Sequence, residues 1–170
     1  FFPIIRDKIR NLEITESEEI IIYLPTYSPL KLIELIKKIP QKKNWTIFST
    51  DAKLKQNISG VNIEPLSEDL FLKKFASCYG IVCAGGFATT SEAIFLGKPM
   101  IVVPVEAQIE QQFNAAALKK EGVTVIDRFS NENLDTISNW IDSPSILKIE
   151  YKDESKEIVD ILINDYSNLK

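Results

Sequence analysis

The residues best suited to chemistry lie in a single run from Cys83 to Ala93. Two adjacent glycines, Gly85 and Gly86, follow an apolar segment that is predicted to be a strand. Thr89 and Thr90 then begin a predicted helix. Glycine lets the backbone approach an anion closely, and the N–H groups of a first helical turn point toward it. The pattern predicts a phosphate-binding turn, although two glycines would also allow a tight strand-to-helix corner without any ligand.

Known phosphate motifs do not account for this run. The Gly-Lys-Ser/Thr ending of a P-loop is missing, and the dinucleotide fingerprint would follow the first strand instead of the fourth. Glu92 has two interpretations. It can close a capping box with Thr89 at the helix start, or its carboxylate can accept hydrogen bonds from both hydroxyls of a ribose. The spacing alone does not choose between them.

A second polar segment, residues 105–112, follows the fifth predicted strand and is rich in carboxylates and amides. It would serve as a solvated loop that enters a helix, with Glu110 favouring the helix dipole. Glu110 and Gln111 are also residue types that bind the vicinal hydroxyls of a sugar. The sequence leaves both possibilities open.

Strands and helices alternate along the chain, which predicts one doubly wound, Rossmann-like α/β domain over residues 1–170 with a parallel six-stranded sheet flanked by helices. In such sheets ligands bind beyond the carboxyl ends of the strands, at the point where the strand order reverses. The loops that follow the strands are therefore the candidate binding loops. The predicted strands are 20–24, 45–49, 61–66, 80–83, 99–104 and 123–126.

Composition narrows the possible functions. With 170 residues and a net charge of −4, the chain has enough length for a core but lacks the basic field of a nucleic-acid-binding protein. It contains no histidine, so no metal site and no Cys/His or Ser/His catalytic pair is expected. Cys78 and Cys83 are expected to be free and partly buried in a reducing compartment, the cytoplasm. No apolar stretch approaches the ~20 residues of a membrane span.

Residues 80–122 resemble the carboxyl-terminal half of two-domain GT-B fold glycosyltransferases, most closely those that use UDP-sugars. The opening of the chain is similar to the interdomain linker of that group, which makes 1–17 the expected linker region. The resemblance rests on these residues: Gly85-Gly86, Thr89-Thr90, Glu92-Ala93, Gly97-Lys98-Pro99, Pro104, Glu110-Gln111, Asn114-Ala115 and the opening Phe2-Pro3-Ile4-Ile5-Arg6.

The resemblance implies a glycosyltransferase of the hexosyltransferase type, with a UDP-sugar as its substrate and no cofactor or metal. For Glu92 it favours ribose binding over the capping box. The implied roles are diphosphate binding by Gly85, Gly86, Thr89, Thr90 and Thr26; ribose binding by Glu92; binding of the transferred sugar by Glu110 and Gln111; and contact with the base by Pro65 and Leu66.

The acceptor site and catalytic base of these enzymes belong to an amino-terminal domain, which is expected to be the main partner and is absent from this chain. Any peripheral membrane association would come through that domain. This chain alone is therefore expected to bind nucleotide without turnover. Two alternatives remain: a non-catalytic nucleotide-sugar-binding or partner subunit, and a sugar-nucleotide epimerase of the same architecture. Many members of the group have histidine and asparagine where this chain has Ala84 and Ala88, which keeps the subunit alternative open.

Overall fold

Runs of β-branched and other apolar residues build a central sheet that is covered on both faces. The computed structural model describes residues 1–41 and 43–167. Ile20, Ile21 and Ile22 are all fully buried in it. Their side chains alternate, since Ile20 and Ile22 pack into one core cluster and Ile21 into the other. A strand buried on both faces is typical of a parallel sheet between two helical layers.

Within the described residues the sheet has seven strands in the order β3-β4-β2-β1-β5-β6-β7, and every pair is parallel except β3 with β4. The prediction of a doubly wound α/β domain is confirmed. The strands are β1 (Glu19–Tyr23), β2 (Asn44–Ser49), β3 (Gln56–Ile58), β4 (Val61–Pro65), β5 (Gly80–Cys83), β6 (Met100–Val102) and β7 (Thr124–Val125).

The predicted number of six strands is wrong by one, because β3 was missed. This three-residue strand, Gln56–Ile58, pairs antiparallel with β4 at the edge of the sheet. It turns into β4 through Ser59 and Gly60, which have φ angles of 54° and 86°. Gln56 and Asn57 are polar and exposed, as suits an edge strand. The sequence therefore shows no buried apolar pattern that would predict β3.

Helices cover the two faces of the sheet unequally. Residues of α2 and α6 pack into one core cluster, whereas residues of α1, α3, α4 and α5 pack into the other. The helices are α1 (Asp7–Arg10), α2 (Pro29–Ile36), α3 (Glu68–Ser77), α4 (Phe87–Leu96), α5 (Ile109–Lys120), α6 (Leu134–Asp142) and α7 (Ser155–Ser167), with a short 3-10 helix at Asn131–Asn133.

The opening segment, predicted to be an interdomain linker region, packs against the domain. It contains the single-turn helix α1, and the side chains of Ile5 and Ile9 are buried in the core. This anchoring holds the backbone of Arg6, which lies between them, close to α3 and α4. The consequence for the site is described below.

Candidate functional site

The strand order reverses between β1 and β5, which are neighbours in the sheet although three strands separate them in sequence. Tyr23, the last residue of β1, is paired in register with Cys83, the last residue of β5. The loops that leave these two ends therefore begin side by side. One carries Thr26, and the other carries residues 84–86, here called the glycine turn. This is the place where doubly wound sheets bind ligands.

Gly85 is required by close packing inside the protein. A Cβ atom at this position would lie 2.7 Å from the backbone oxygen of Gln111. The Gly85 N–H also donates a hydrogen bond of 3.1 Å to the side-chain oxygen of Gln111, and the Asn114 amide donates one of 3.0 Å to the Gly85 carbonyl. Helix α5 is thereby joined tightly to the glycine turn.

Gly86 differs from Gly85 in both conformation and surroundings. Its φ of −68° and ψ of 137° are accessible to any residue, and a Cβ atom there would meet nothing within 4 Å. Neither the backbone conformation nor packing within the described residues requires glycine at this position. The residue is the N-cap of α4 and so lies at the end of the helix where N–H groups lack helical acceptors.

The two predicted phosphate-binding threonines have different environments. Thr90 is buried, and its hydroxyl lies 3.0 Å from the Gly86 carbonyl and 3.1 Å from the Phe87 carbonyl. It is therefore engaged with the backbone of its own helix. Thr89 is half-buried, and its hydroxyl makes no hydrogen bond within the described part of the chain. Of the two, Thr89 is the better placed to donate to a ligand.

Glu92 pairs with a residue that the sequence analysis did not assign to the site. Arg6 Nε donates to Glu92 Oε1 at 2.7 Å, and Arg6 Nη2 donates to Oε2 at 3.0 Å. The Glu92 side chain is only 5% exposed, while that of Arg6 is 48% exposed. The hydrogen bonds to Glu92, opposed by partial burial, raise the pKa of Arg6 above its ordinary value. This arrangement is called the Arg6–Glu92 pair below.

The capping-box interpretation of Glu92 is wrong. Helix α4 begins at Phe87 with Gly86 as its N-cap, and no side chain caps it. Thr89 is therefore the third residue of the helix, and Glu92 lies in the second turn, beyond the N–H groups that a capping box serves. Sequence spacing placed the helix start three residues too late.

Gln111, a predicted sugar-binding residue, has its side-chain oxygen engaged by the protein. Besides the Gly85 N–H, this oxygen accepts a hydrogen bond of 3.0 Å from the Val105 N–H, and the Gln111 amide donates to Gln108. Glu110 lies in the first turn of α5 and is exposed. The structure brings both residues to the candidate edge but gives Gln111 a clear role in holding the loops together.

The predicted base-binding residues lie further along the same edge. Pro65 ends β4, and Leu66, which follows it, is 44% exposed. Two residues on, Glu68 begins α3 and accepts a 2.9 Å hydrogen bond from Arg6 Nη1 and a 2.6 Å bond from Lys8. Lys8, as the nearer cation, holds the pKa of Glu68 below its usual value. Arg6 thus spans the distance between Glu92 and the start of α3.

A cavity of about 310 Å³ opens beside Thr26, and part of its wall is the predicted polar segment 105–112. The Tyr27 hydroxyl accepts a hydrogen bond from the Phe129 N–H, which ties the loop after β1 to the loop after β7. Arg128 pairs with Glu106 across 3.1 Å. Glu106 lies in the predicted segment 105–112, whereas Arg128 was not predicted, although it follows the carboxyl end of β7. The lining residues are Thr26, Tyr27, Val103, Pro104, Val105, Glu106, Gln112, Asp127 and Arg128.

The two cysteines do not take part in the site. Both are free, and they are fully buried where partial burial was expected. Burial raises the pKa of each thiol from 9.0 to about 12, so both remain protonated near neutral pH.

Among the described residues there is no group of three or more His, Cys, Asp or Glu side chains positioned to hold a metal ion. Nor does any helix in residues 1–41 and 43–167 have the length and hydrophobicity needed to cross a membrane.

Comparison with known sequences assigns the family. A sequence profile described as glycosyl transferase family 1 matches residues 1–143 of the 170. The chain belongs to glycosyl transferase family 1. Within the curated relatives, it is 28% identical to the UDP-N-acetylglucosamine--N-acetylmuramyl-(pentapeptide) pyrophosphoryl-undecaprenol N-acetylglucosamine transferase of Finegoldia magna. That match covers 76% of this chain and 41% of the relative, so this family member spans less than half of the relative's length.

Solved structures show the same fold. The glycotransferase of kitacinnamycin superposes with a TM-score of 0.54 at 18% identity, over 74% of this chain and 34% of that one. Spinosyn forosaminyltransferase SpnP gives 0.51 at 14% identity, over 95% and 48%. SnogD from Streptomyces nogalater gives 0.50 at 14% identity, over 94% and 47%. This chain therefore has the fold of about half of a GT-B glycosyltransferase.

Proposed function

We propose that this chain binds a nucleotide-diphosphate sugar, specifically a UDP-sugar, for transfer to an acceptor hydroxyl. The observation that carries the proposal is the glycine turn at the strand-order reversal. Gly86 is a glycine for which neither its backbone angles nor its packing gives a reason, and it caps the amino terminus of a ten-residue helix. A diphosphate seated there accounts for both its position and its lack of a side chain.

The chemistry follows from the same geometry. Breaking the bond between sugar and phosphate leaves negative charge on the diphosphate. The N–H groups of the first turn of α4, the helix dipole and the Thr89 hydroxyl would stabilise that charge as it develops. Thr90 would contribute indirectly, because its hydroxyl is bonded to the carbonyls of Gly86 and Phe87 and so supports the turn. Thr26, exposed at the end of β1, would close over the phosphates from the other side.

The remaining groups of the nucleotide sugar would lie along the carboxyl ends of the strands. We assign the ribose hydroxyls to Glu92 and the base to the exposed region around Pro65 and Leu66. The transferred sugar would be near Glu110 and Gln111, on the far side of the glycine turn. In this assignment Gln111 acts through its tie to Gly85, since its oxygen already accepts two backbone hydrogen bonds.

Catalysis would require a second domain. The chain spans 41% of the Finegoldia magna relative, and the base that activates the acceptor would come from an amino-terminal half. We therefore propose that residues 1–170 bind the nucleotide without transferring the sugar. The cytoplasmic location and the amino-terminal acceptor domain as partner remain predictions of the sequence.

Isothermal titration calorimetry of this chain with UDP tests the proposal. We expect saturable binding at millimolar concentration or below, with weaker binding of UMP, which lacks the second phosphate. Thr89→Ala should weaken UDP binding severalfold, because it removes a hydroxyl at the first turn of α4. Ser77→Ala is the matched control, because Ser77 ends α3 and lies near the amino-terminal end of β5, away from the glycine turn. No saturable heat with millimolar UDP would contradict the proposal.

A further inference from the structure

Both oxygens of the carboxylate that we assign to ribose are already occupied within the protein. Arg6 Nε and Nη2 each donate to one oxygen of Glu92, at 2.7 Å and 3.0 Å. This parallel pairing is the strong, directional form of an Arg–carboxylate contact. The Glu92 side chain is only 5% exposed, so its carboxylate is a buried charge paired with this guanidinium.

The backbone of Arg6 is held in place, whereas its side chain is partly exposed. The neighbouring side chain of Ile5 is buried, and Ile9 anchors the turn that follows. The Arg6 side chain itself is about half exposed, so it can swing away from Glu92 without disturbing the core. Its remaining nitrogen, Nη1, bonds Glu68, which keeps a second cation, Lys8, when Arg6 leaves.

We infer that Arg6 competes with the ribose hydroxyls of the nucleotide for Glu92 and is displaced when the nucleotide binds. The inference rests on the proposed function. A vicinal diol supplies two O–H donors, one for each carboxylate oxygen, and so replaces both hydrogen bonds that Arg6 gives up. A 2′-deoxyribose supplies one, and would leave an oxygen of a buried carboxylate without a donor, which is costly. Displacement of Arg6 thus favours nucleotides with the intact diol.

The competition makes a prediction opposite to that of a supporting role. If Arg6 competes, removing it frees Glu92 for the diol, and UDP binds more tightly. If Arg6 only orients Glu92, removing it disorders the carboxylate, and UDP binds more weakly. A partly exposed ion pair is worth about 1 kcal/mol, which corresponds to roughly a fivefold change in affinity.

The test is the dissociation constant of UDP, measured by calorimetry for the wild type, Arg6→Ala and Arg6→Lys. We expect it to fall roughly fivefold in Arg6→Ala and less in Arg6→Lys, because lysine can still pair with Glu92. Lys8→Ala is the matched control, since Lys8 contacts Glu68 but not Glu92. Its dissociation constant should equal that of the wild type.

A direct readout separates this inference from the proposed function. In ¹⁵N–¹H spectra, the Arg6 Nε–H should shift when UDP is added and should shift less with 2′-deoxy-UDP. The Arg10 Nε–H, which donates to the Ile5 carbonyl, is an internal control and should not move. If UDP shifts the Gly86 amide but leaves Arg6 Nε–H unchanged, or if Arg6→Ala binds UDP no more tightly than the wild type, the competition is overturned while nucleotide binding stands. If UDP shifts neither group, the proposed function itself fails.

Discussion

The side-chain oxygen of Gln111 accepts a hydrogen bond from the Gly85 N–H, and the two residues are so close that a Cβ on Gly85 would lie 2.7 Å from the Gln111 backbone. This contact joins the loop after β5 to the helix after β6. The same oxygen also accepts the Val105 N–H. One amide therefore holds two loops at the edge where the nucleotide is proposed to bind.

Replacing Gln111 by alanine should destabilise the protein by about 1–3 kcal/mol, because two backbone N–H groups lose their acceptor in a partly buried place. Urea unfolding followed by circular dichroism measures the effect. Gln112→Ala is the control. The exposed Gln112 amide makes one bond, to the Val105 carbonyl, so its loss should cost about 0.5 kcal/mol or less. Equal effects of the two changes would contradict the assigned role of Gln111.

Alanine substitutions of the two adjacent glycines should have different effects: one should lower stability, and the other should weaken UDP binding. Gly85→Ala should lower the free energy of unfolding by about 1–3 kcal/mol, because the new methyl group overlaps the backbone of α5. Gly86→Ala should leave stability unchanged or raise it by up to about 1 kcal/mol, since its φ and ψ suit alanine and the space is open. Gly86→Ala should nevertheless weaken UDP binding about tenfold by obstructing the phosphate. Unchanged affinity in a stable Gly86→Ala variant would argue against a phosphate at the glycine turn.

Glu92→Gln should abolish most of the discrimination between UDP and 2′-deoxy-UDP. The neutral amide keeps the size of the side chain but replaces one acceptor oxygen by a donor, so it cannot accept from both ribose hydroxyls. Calorimetry with the two nucleotides measures the ratio of affinities. Glu106→Gln, a change in the wall of the neighbouring cavity, is the control. A Glu92→Gln variant that keeps the wild-type ratio would show that Glu92 does not bind ribose.

Because Cys78 and Cys83 are buried, we predict that the free energy of unfolding declines at alkaline pH. Burial raises the pKa of the Cys78 and Cys83 thiols to about 12 from 9.0. Above about pH 9 the unfolded chain loses these protons while the folded chain keeps them, so the free energy of unfolding falls as pH rises toward 12. Urea unfolding between pH 8 and pH 10.5 tests this. The slope should be shallower in a Cys78→Ala, Cys83→Ala variant, and identical slopes would refute the burial argument.

Much of the fold, and the position of the glycine turn between a strand and a helix, could be predicted from the sequence. Apolar β-branched runs such as 20–24 and the glycine turn carry local signals, which periodicity and residue type make visible. The edge strand β3 was missed because its residues are polar and exposed, and a three-residue strand has too few positions to show a pattern.

The Arg6–Glu92 pair could not be predicted by the same route. The two residues are 86 positions apart, and no spacing rule relates them. The packing of Ile5 and Ile9 into the core, together with the stacking of Arg10 on Phe95, brings the opening segment to α4. The sequence placed Arg6 in a linker and Glu92 in a site, and tertiary structure put them in contact.

Backbone amide chemical shifts of the ¹⁵N-labelled protein during a UDP titration test the central claim most directly. The account predicts saturable shifts concentrated at Gly86 and at the first turn of α4, Phe87 to Thr89, with smaller changes near Thr26 and Leu66. The amide shifts of residues at the amino-terminal ends of the strands, such as Glu19 and Gly80, should not change. Saturable shifts confined to the amino-terminal ends of the strands, or no shifts with millimolar UDP, would contradict a nucleotide-sugar site at the glycine turn.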